Sequence, residues 1–275
     1  MIELPEAMAI AQQINQTIKG KRIKTVTAAY SPHKFAWYHD SPENYSDILL
    51  NKVICKAESY GGFIEINVED TIILLGDGAN LRFHNSGEKR PEKHQLLIEF
   101  EDLSALSVTI QMYGGIWCFK EGDFQNIYYE ISKSKKSPLS NDFNKEFFND
   151  IISAPGVEKL SAKALLATEQ RIPGIGNGSL QDILYNAGIH PKKKVKTFTD
   201  DEKEMLFNSI KTTIKEMVDK GGRDTERDLF GSPGSYKTKL SKNTFNKPCL
   251  TCGTLIKKEN YMGGSIYYCS ECQKI

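Results

Sequence analysis

The stretch CLTCGTLIKKENYMGGSIYYCSEC, residues 249–272, carries four of the six cysteines of the chain. They stand as two C-x2-C pairs, Cys249/Cys252 and Cys269/Cys272, with sixteen residues between the pairs. This is the spacing of a four-thiolate zinc site: each C-x2-C turn offers two thiolates, and two such turns close a tetrahedron. Gly253 follows the first pair, where a tight turn asks for positive φ. The other reading is two disulfides in an exported tail. No basic-then-apolar leader precedes Glu3 and Glu6, and a reducing cytosol keeps thiols free, so the metal reading is preferred. The remaining pair, Cys55 and Cys118, read as small apolar core residues.

Upstream of the cysteines, residues 229–258 carry six lysines and no acid. Lys237, Lys239, Lys242 and Lys247 are interleaved with Tyr236 and Phe245, and Lys192-Lys193-Lys194 forms a second cluster. Such a run beside a metal knuckle suits phosphate contact; the plainer reading is a solvated lysine-rich loop. Further upstream the pattern is helical. Thr199 and Glu202 form a capping box before an apolar face of Met205, Leu206, Ile210, Ile214, Met217 and Val218, which predicts a helix over 199–220, stopped by Gly221-Gly222. Shorter helices are expected at 143–152, 161–167 and 179–187.

The stretch SKSKKSPLSN, residues 132–141, reads as a linker. Before it the period changes to short β-rich runs at 22–28, 63–68, 71–75, 96–100, 105–112 and 116–119, preceded by a helix over 5–19. The expected fold is therefore α+β. An N-terminal helix and β-sandwich occupy 1–131, a helical domain 142–230, and a lysine-rich loop with a zinc finger 231–275. The 275 residues are 39% hydrophobic and 26% charged, which excludes a disordered chain. No apolar run approaches bilayer length, so no membrane partner is expected. A net charge of +1 argues against indiscriminate polyanion binding but leaves room for a local basic face.

The most unusual stretch is RIPGIGN, residues 171–177, with three turn formers in seven residues just ahead of a helix. Backbone N–H groups at that helix start, around Gly176 and with Asn177 as donor, would make a phosphate seat. An ordinary helix–helix turn is the alternative.

Three motifs then agree in order. MIELPE (1–6) resembles the N-terminus of the formamidopyrimidine-DNA glycosylase/endonuclease VIII family. Gly174-Ile175-Gly176-Asn177 followed by Ala187-Gly188-Ile189-His190-Pro191 resembles its helix–two-turn–helix, and the four cysteines resemble its zinc finger. The resemblance implies one structural zinc and no small-molecule cofactor. It also implies a monomer with double-stranded or damaged DNA as partner, bent in a cleft with the damaged base flipped out.

Glu3 matches the family's catalytic glutamate and Glu6 its second N-terminal acid; the plainer reading is that acids favour a helix start. The family's nucleophile is the amine of a proline exposed by removal of the initiator methionine. Here the second residue is Ile2, whose β-branch hinders that removal, so the amine belongs to Met1. The family's base-replacing methionine falls at Asp77, and its arginine and phenylalanine fall within 112–115, where neither type occurs. Its phosphate-binding lysine and finger arginine fall at Tyr60-Gly61-Gly62 and Gly263-Gly264. The expected function is a DNA-repair glycosylase with AP-lyase action. The alternative is a member that grips damaged or bent DNA without chemistry.

Overall fold

Helix α1 (Leu4–Thr17) opens the computed structural model, which describes residues 1–275. Its N-cap is Glu3, and the Glu6 carboxylate reaches back to accept the Glu3 N–H at 3.3 Å, which fixes the start. The helix serves two cores. Leu4 and Met8 pack with the helical half, whereas Ile10, Ile14 and the C-cap residue Ile18 pack against strands. Each such fully buried aliphatic side chain contributes about 1.5–3 kcal/mol.

The β body consists of β1 (Ile23–Ala28), β2 (Ala36–Tyr38), β3 (Ile54–Tyr60), β4 (Phe63–Val68), β5 (Thr71–His84), β6 (Leu96–Phe100) and β7 (Ala105–Lys120), with a short helix α2 (Tyr45–Leu49). They form one sheet in the order β1-β6-β7-β5-β4-β3, and β2 joins β7 in parallel. The runs expected at 71–75, 105–112 and 116–119 are pieces of two long strands, β5 and β7, that bend together. Their register shifts between Asp77 and Ala79, in the midst of Gly76, Gly78, Gly114 and Gly115. A Cβ on Gly78 would lie 2.4 Å from the Tyr113 carbonyl oxygen, so the bend requires glycine there. The inner face, from Leu75 through Leu81 and from Ile116 through Val108, shares one core with α1. The opposite face carries Phe63, Leu74, Trp117 and Phe119 with Tyr129 of α3 (Ile127–Ser134). Helix α3 covers the first three residues of the stretch read as a linker.

The second half holds α4 (Lys145–Ser153), α5 (Ala162–Ala167), α6 (Ser179–Asn186) and α7 (Asp200–Asp219), then the hairpin β8 (Lys257–Tyr261) and β9 (Gly264–Tyr268). Local chemistry sets the boundaries. Ser161 caps α5 by accepting the Ala164 N–H at 3.2 Å, and the Thr199/Glu202 box caps α7 as the sequence suggests. Cys118 is buried, but Cys55 is exposed at the β3 edge and is not a core residue. No helix is long and apolar enough to cross a membrane.

Candidate active site

The first four residues lie between the halves and are tied to both. The Ile2 N–H donates to the Asp77 carbonyl at 2.7 Å, at the bend of β5, and the Leu4 N–H donates to the Gly174 carbonyl at 2.9 Å, ahead of α6. Glu3 between them turns its carboxylate into the RIPGIGN loop. It accepts the N–H of Gly176 at 3.2 Å and of Gly178 and Ser179 at 2.8 Å each, together with the Ser179 hydroxyl. The Arg223 Nη1 stands 3.4 Å away. The seat expected for an external phosphate is thus filled by the protein's own anion, because Glu3 satisfies the orphan N–H groups at the start of α6. The glycines make this possible: a Cβ on Gly176 would fall 2.6 Å from Glu3, and one on Gly178 would collide with Arg223.

Arg223 is the centre of a buried ion cluster. Its backbone N–H and Nε reach Glu6 Oε1 at 3.0 Å each, and its Nη2 reaches Glu6 Oε2 at 2.7 Å. Glu6 therefore holds Arg223 and is not free for chemistry. Burial alone would push the Glu3 carboxyl up. The Arg223 charge, the Ser179 hydroxyl and the Ser179 and Gly178 N–H groups outweigh it and hold the carboxyl below its ordinary value. Glu3 is ionised at neutral pH.

A cleft of about 500 Å³ opens over these residues, lined by Met1, Ile2, Glu3, Asp77, Met112, Tyr113, Lys163, Asn177 and the hairpin tip Met262–Gly264. The Met1 amine points to the far side, where it donates to Glu226 at 2.9 Å. Burial raises the Asp77 carboxyl against the opposing pull of that amine. Asp77 sits at φ +58°, a left-handed conformation that aspartate tolerates better than most residues. Asn177 is exposed, and its amide donates to the Ser265 carbonyl at 3.0 Å, which places it against the hairpin. Lys163 lines the same cleft, donates to the Tyr261 carbonyl at 2.6 Å and is pulled down by burial.

The four lysines do not converge. Lys237 lies 4.0 Å from Asp224, and Lys239 donates to Asn186 at 2.6 Å. Lys242 edges a groove of about 210 Å³ shared with Asn177, and it edges a cavity of about 270 Å³ shared with Met1 and Ile2. Lys247 is exposed near the cysteines. In the 192–194 cluster, Lys192 is paired with Glu259 and Lys193 with Glu202. Arg223, Ser179 and Lys163 escaped the sequence reading. An arginine directly after Gly221-Gly222 was the available signal for the first.

The Sγ atoms of Cys249, Cys252, Cys269 and Cys272 lie within 4.8 Å of one another, with 3.8 Å between Cys249 and Cys272 and 3.4 Å between Cys252 and Cys269. No disulfide joins them. A tetrahedron with metal–sulfur arms of about 2.3 Å has edges of about 3.8 Å, so the cluster can hold a metal ion. The Tyr185 hydroxyl, 3.1 Å from Cys249 Sγ, links it to α6.

Comparison with known proteins agrees with this arrangement. The model of the formamidopyrimidine-DNA glycosylase H2TH domain matches residues 135–228. The formamidopyrimidine-DNA glycosylase of Prochlorococcus marinus is 33% identical over 310 residues, covering 100% of both chains. That of Bacillus licheniformis is 25% identical over 281 residues, again covering 100% of both. Among solved structures, Lactococcus lactis Fpg in complex with abasic-site DNA superposes with a TM-score of 0.83 at 20% identity, over 99% of this chain and 100% of that one. Thermus thermophilus MutM superposes with a TM-score of 0.81 at 20% identity, over 98% of each. End-to-end coverage by a relative at 33% identity shows that the chain belongs to the formamidopyrimidine-DNA glycosylase family.

Proposed function

We propose that the chain is a DNA-repair glycosylase acting on damaged or abasic DNA, with lyase action at the abasic site. The observation that carries this is Glu3, an ionised carboxylate held by four donors on the floor of a cleft between the two halves. A glutamate serving only as a helix cap would need neither the glycine loop nor Arg223. The reading is supported by the names of full-length relatives and by the abasic-site DNA held by the Lactococcus neighbour.

In the lyase step a neutral amine attacks the C1′ aldehyde of the abasic sugar. The carbinolamine loses water, and the resulting iminium acidifies C2′, so that loss of a C2′ proton to a base forms the C2′=C3′ bond and expels the 3′ phosphate. Glu3, being ionised, acts first as proton acceptor, and it returns the proton to the opening sugar or the departing water. The amine at the N-terminus is that of Met1, a flexible primary amine in place of a proline ring. Asn177 and the lysines 237, 239, 242 and 247 are assigned to the DNA backbone; Gly176, expected to join them, has its N–H taken by Glu3 and shapes the loop instead. A single structural zinc on the four cysteines would hold the hairpin whose tip forms one wall of the cleft. The protein acts as a cytoplasmic monomer in this reading. Asp77 cannot wedge between stacked bases without burying its carboxyl there, so lesions that are already unpaired, where extrusion is cheap, are the preferred substrates.

One observation favours a binding protein without chemistry. The Ile2 side chain is only 9% exposed, its N–H is tied to Asp77, and the Met1 amine is engaged with Glu226 rather than with Glu3. Borohydride trapping on abasic-site DNA separates the two readings. Wild type is expected to trap, Glu3→Gln to lose strand cleavage, and Ile2→Pro, once Met1 is removed, to trap more. If none of the three traps or cleaves while all bind, the binding-protein reading stands.

A further inference from the structure

Residues 28–39 carry four aromatic side chains, one lysine, two histidines and no acid. The segment forms the edge of the sheet at its bend, where β2 runs beside β7 and the Gly114 N–H donates to the Phe35 carbonyl at 3.0 Å. Alternation along the strand sorts its side chains. Ala36 and Tyr38 pack on the core, while Phe35 and Trp37, 48% and 45% exposed, stand on the outer face. The backbone is held in place: the Ser31 N–H donates to the His94 carbonyl at 3.0 Å and the His39 N–H to the Tyr45 hydroxyl at 2.9 Å.

This face continues into the cleft. The Trp37 ring lies 5.7 Å from that of Tyr113, and Tyr113 and the 69% exposed Met112 line the cleft itself. The Lys34 ammonium sits 5.3 Å from the Phe35 ring centroid, so a cation accompanies the aromatic surface. Resting on the reading of the cleft as a DNA site, we propose that Phe35 and Trp37, joined to the cleft through Tyr113 and Met112, form a stacking platform for unpaired nucleobases leaving the cleft. Aromatic side chains fixed on a strand stack any base face at little ordering cost, and Lys34 supplies charge for a phosphate backbone. The platform stands where the chain lacks a wedge, beside Asp77, and it gives the protein a hold on single-stranded DNA next to a lesion.

The test compares wild type, Trp37→Ala and Phe35→Ala on three oligonucleotides: a fully paired abasic-site duplex, the same duplex with an unpaired tract beside the site, and a single strand. Each exposed variant should melt with wild type. Affinity for the two unpaired substrates should fall roughly tenfold for Trp37→Ala, and affinity for the paired duplex should stay within about twofold. Tryptophan emission should be quenched by the unpaired substrates in wild type and not in Trp37→Phe. An equal loss on all three substrates, or no loss, overturns the platform while leaving the cleft reading intact. Sedimentation showing a dimer that Trp37→Ala dissolves assigns the face to a second copy instead. Wild type that binds none of the three overturns the DNA reading and the platform with it.

Discussion

Replacing Glu3 with Gln separates a structural from a chemical role most sharply, and its cost can be worked from the contacts. With the amide oxygen in place of Oε2, the Gly176 and Ser179 N–H groups and the Ser179 hydroxyl keep an acceptor, now neutral. The amide nitrogen then faces the Gly178 N–H, donor against donor, at the 2.8 Å that separates Gly178 N from Oε1. It also faces Arg223 Nη1 at 3.4 Å. An unmatched buried donor costs about 1–3 kcal/mol, and the three remaining bonds lose their charge assistance. Relief from burying an anion offsets part of this, leaving a loss of about 3 kcal/mol. For a chain of this size that corresponds to a fall in Tm of roughly 6–12 °C. The ion pair of the Met1 amine with Glu226 is part-exposed, so Glu226→Gln should cost no more than about 1 kcal/mol and serves as the control. Thermal melting of the three proteins at pH 7 is the assay. A Glu3→Gln variant melting within about 2 °C of wild type would refute the claim that these donors are committed to Glu3. It would also reopen the loop as a seat for an outside phosphate.

Four further outcomes are expected. Because Glu3 lies below its ordinary value in the folded state, its stabilisation is complete above the unfolded glutamate value of about 4.3 and is lost as pH falls through the folded one. Urea midpoints from pH 7 down to 2 should therefore decline less steeply in Glu3→Gln than in wild type, and parallel curves would contradict this. Metal analysis should give about one zinc per chain, and chelation should loosen the hairpin first, seen as faster amide exchange at residues 257–268; a metal-free protein with a protected hairpin would end the zinc reading. Asn177→Ala should weaken binding to every duplex alike. Removing Lys242 or Lys247, which have no acidic partner, should flatten the salt slope by about one unit each, whereas a loss confined to one lesion would contradict backbone contact. Binding should be tighter to an unpaired abasic site than to a fully paired oxidised guanine, and the reverse order in a titration would mean that Asp77 does not govern extrusion.

What the sequence made legible was local. The bounds of β4 and β6 and the Thr199/Glu202 cap follow from side-chain period and one-turn capping chemistry, and all appear in the structure. β5 and β7 read as fragments because Gly76, Gly78, Gly114 and Gly115 look like stops, although in the folded chain they let two paired strands bend as one. β2 and β3 have too little alternation to announce themselves. The metal cluster was legible because its ligands lie in one short stretch. The surroundings of Glu3 were not: its donors lie more than 170 positions away, and a helix start that binds a side chain reads the same as one that binds a phosphate.

That separation bears on how the chain reaches its final form. Glu3 and Glu6 precede their partners at Gly176–Ser179 and Arg223 by 173 to 220 residues. Contacts so far apart in sequence raise the contact order, and they are expected to form after the local elements. Until then α1 has one of its two cores to pack on and two carboxylates without their arginine. The β body alone is therefore an incomplete unit, and the two halves should unfold in a single cooperative transition rather than as independent domains. Because residues of both halves line the cleft, a chain lacking the C-terminal half cannot form it.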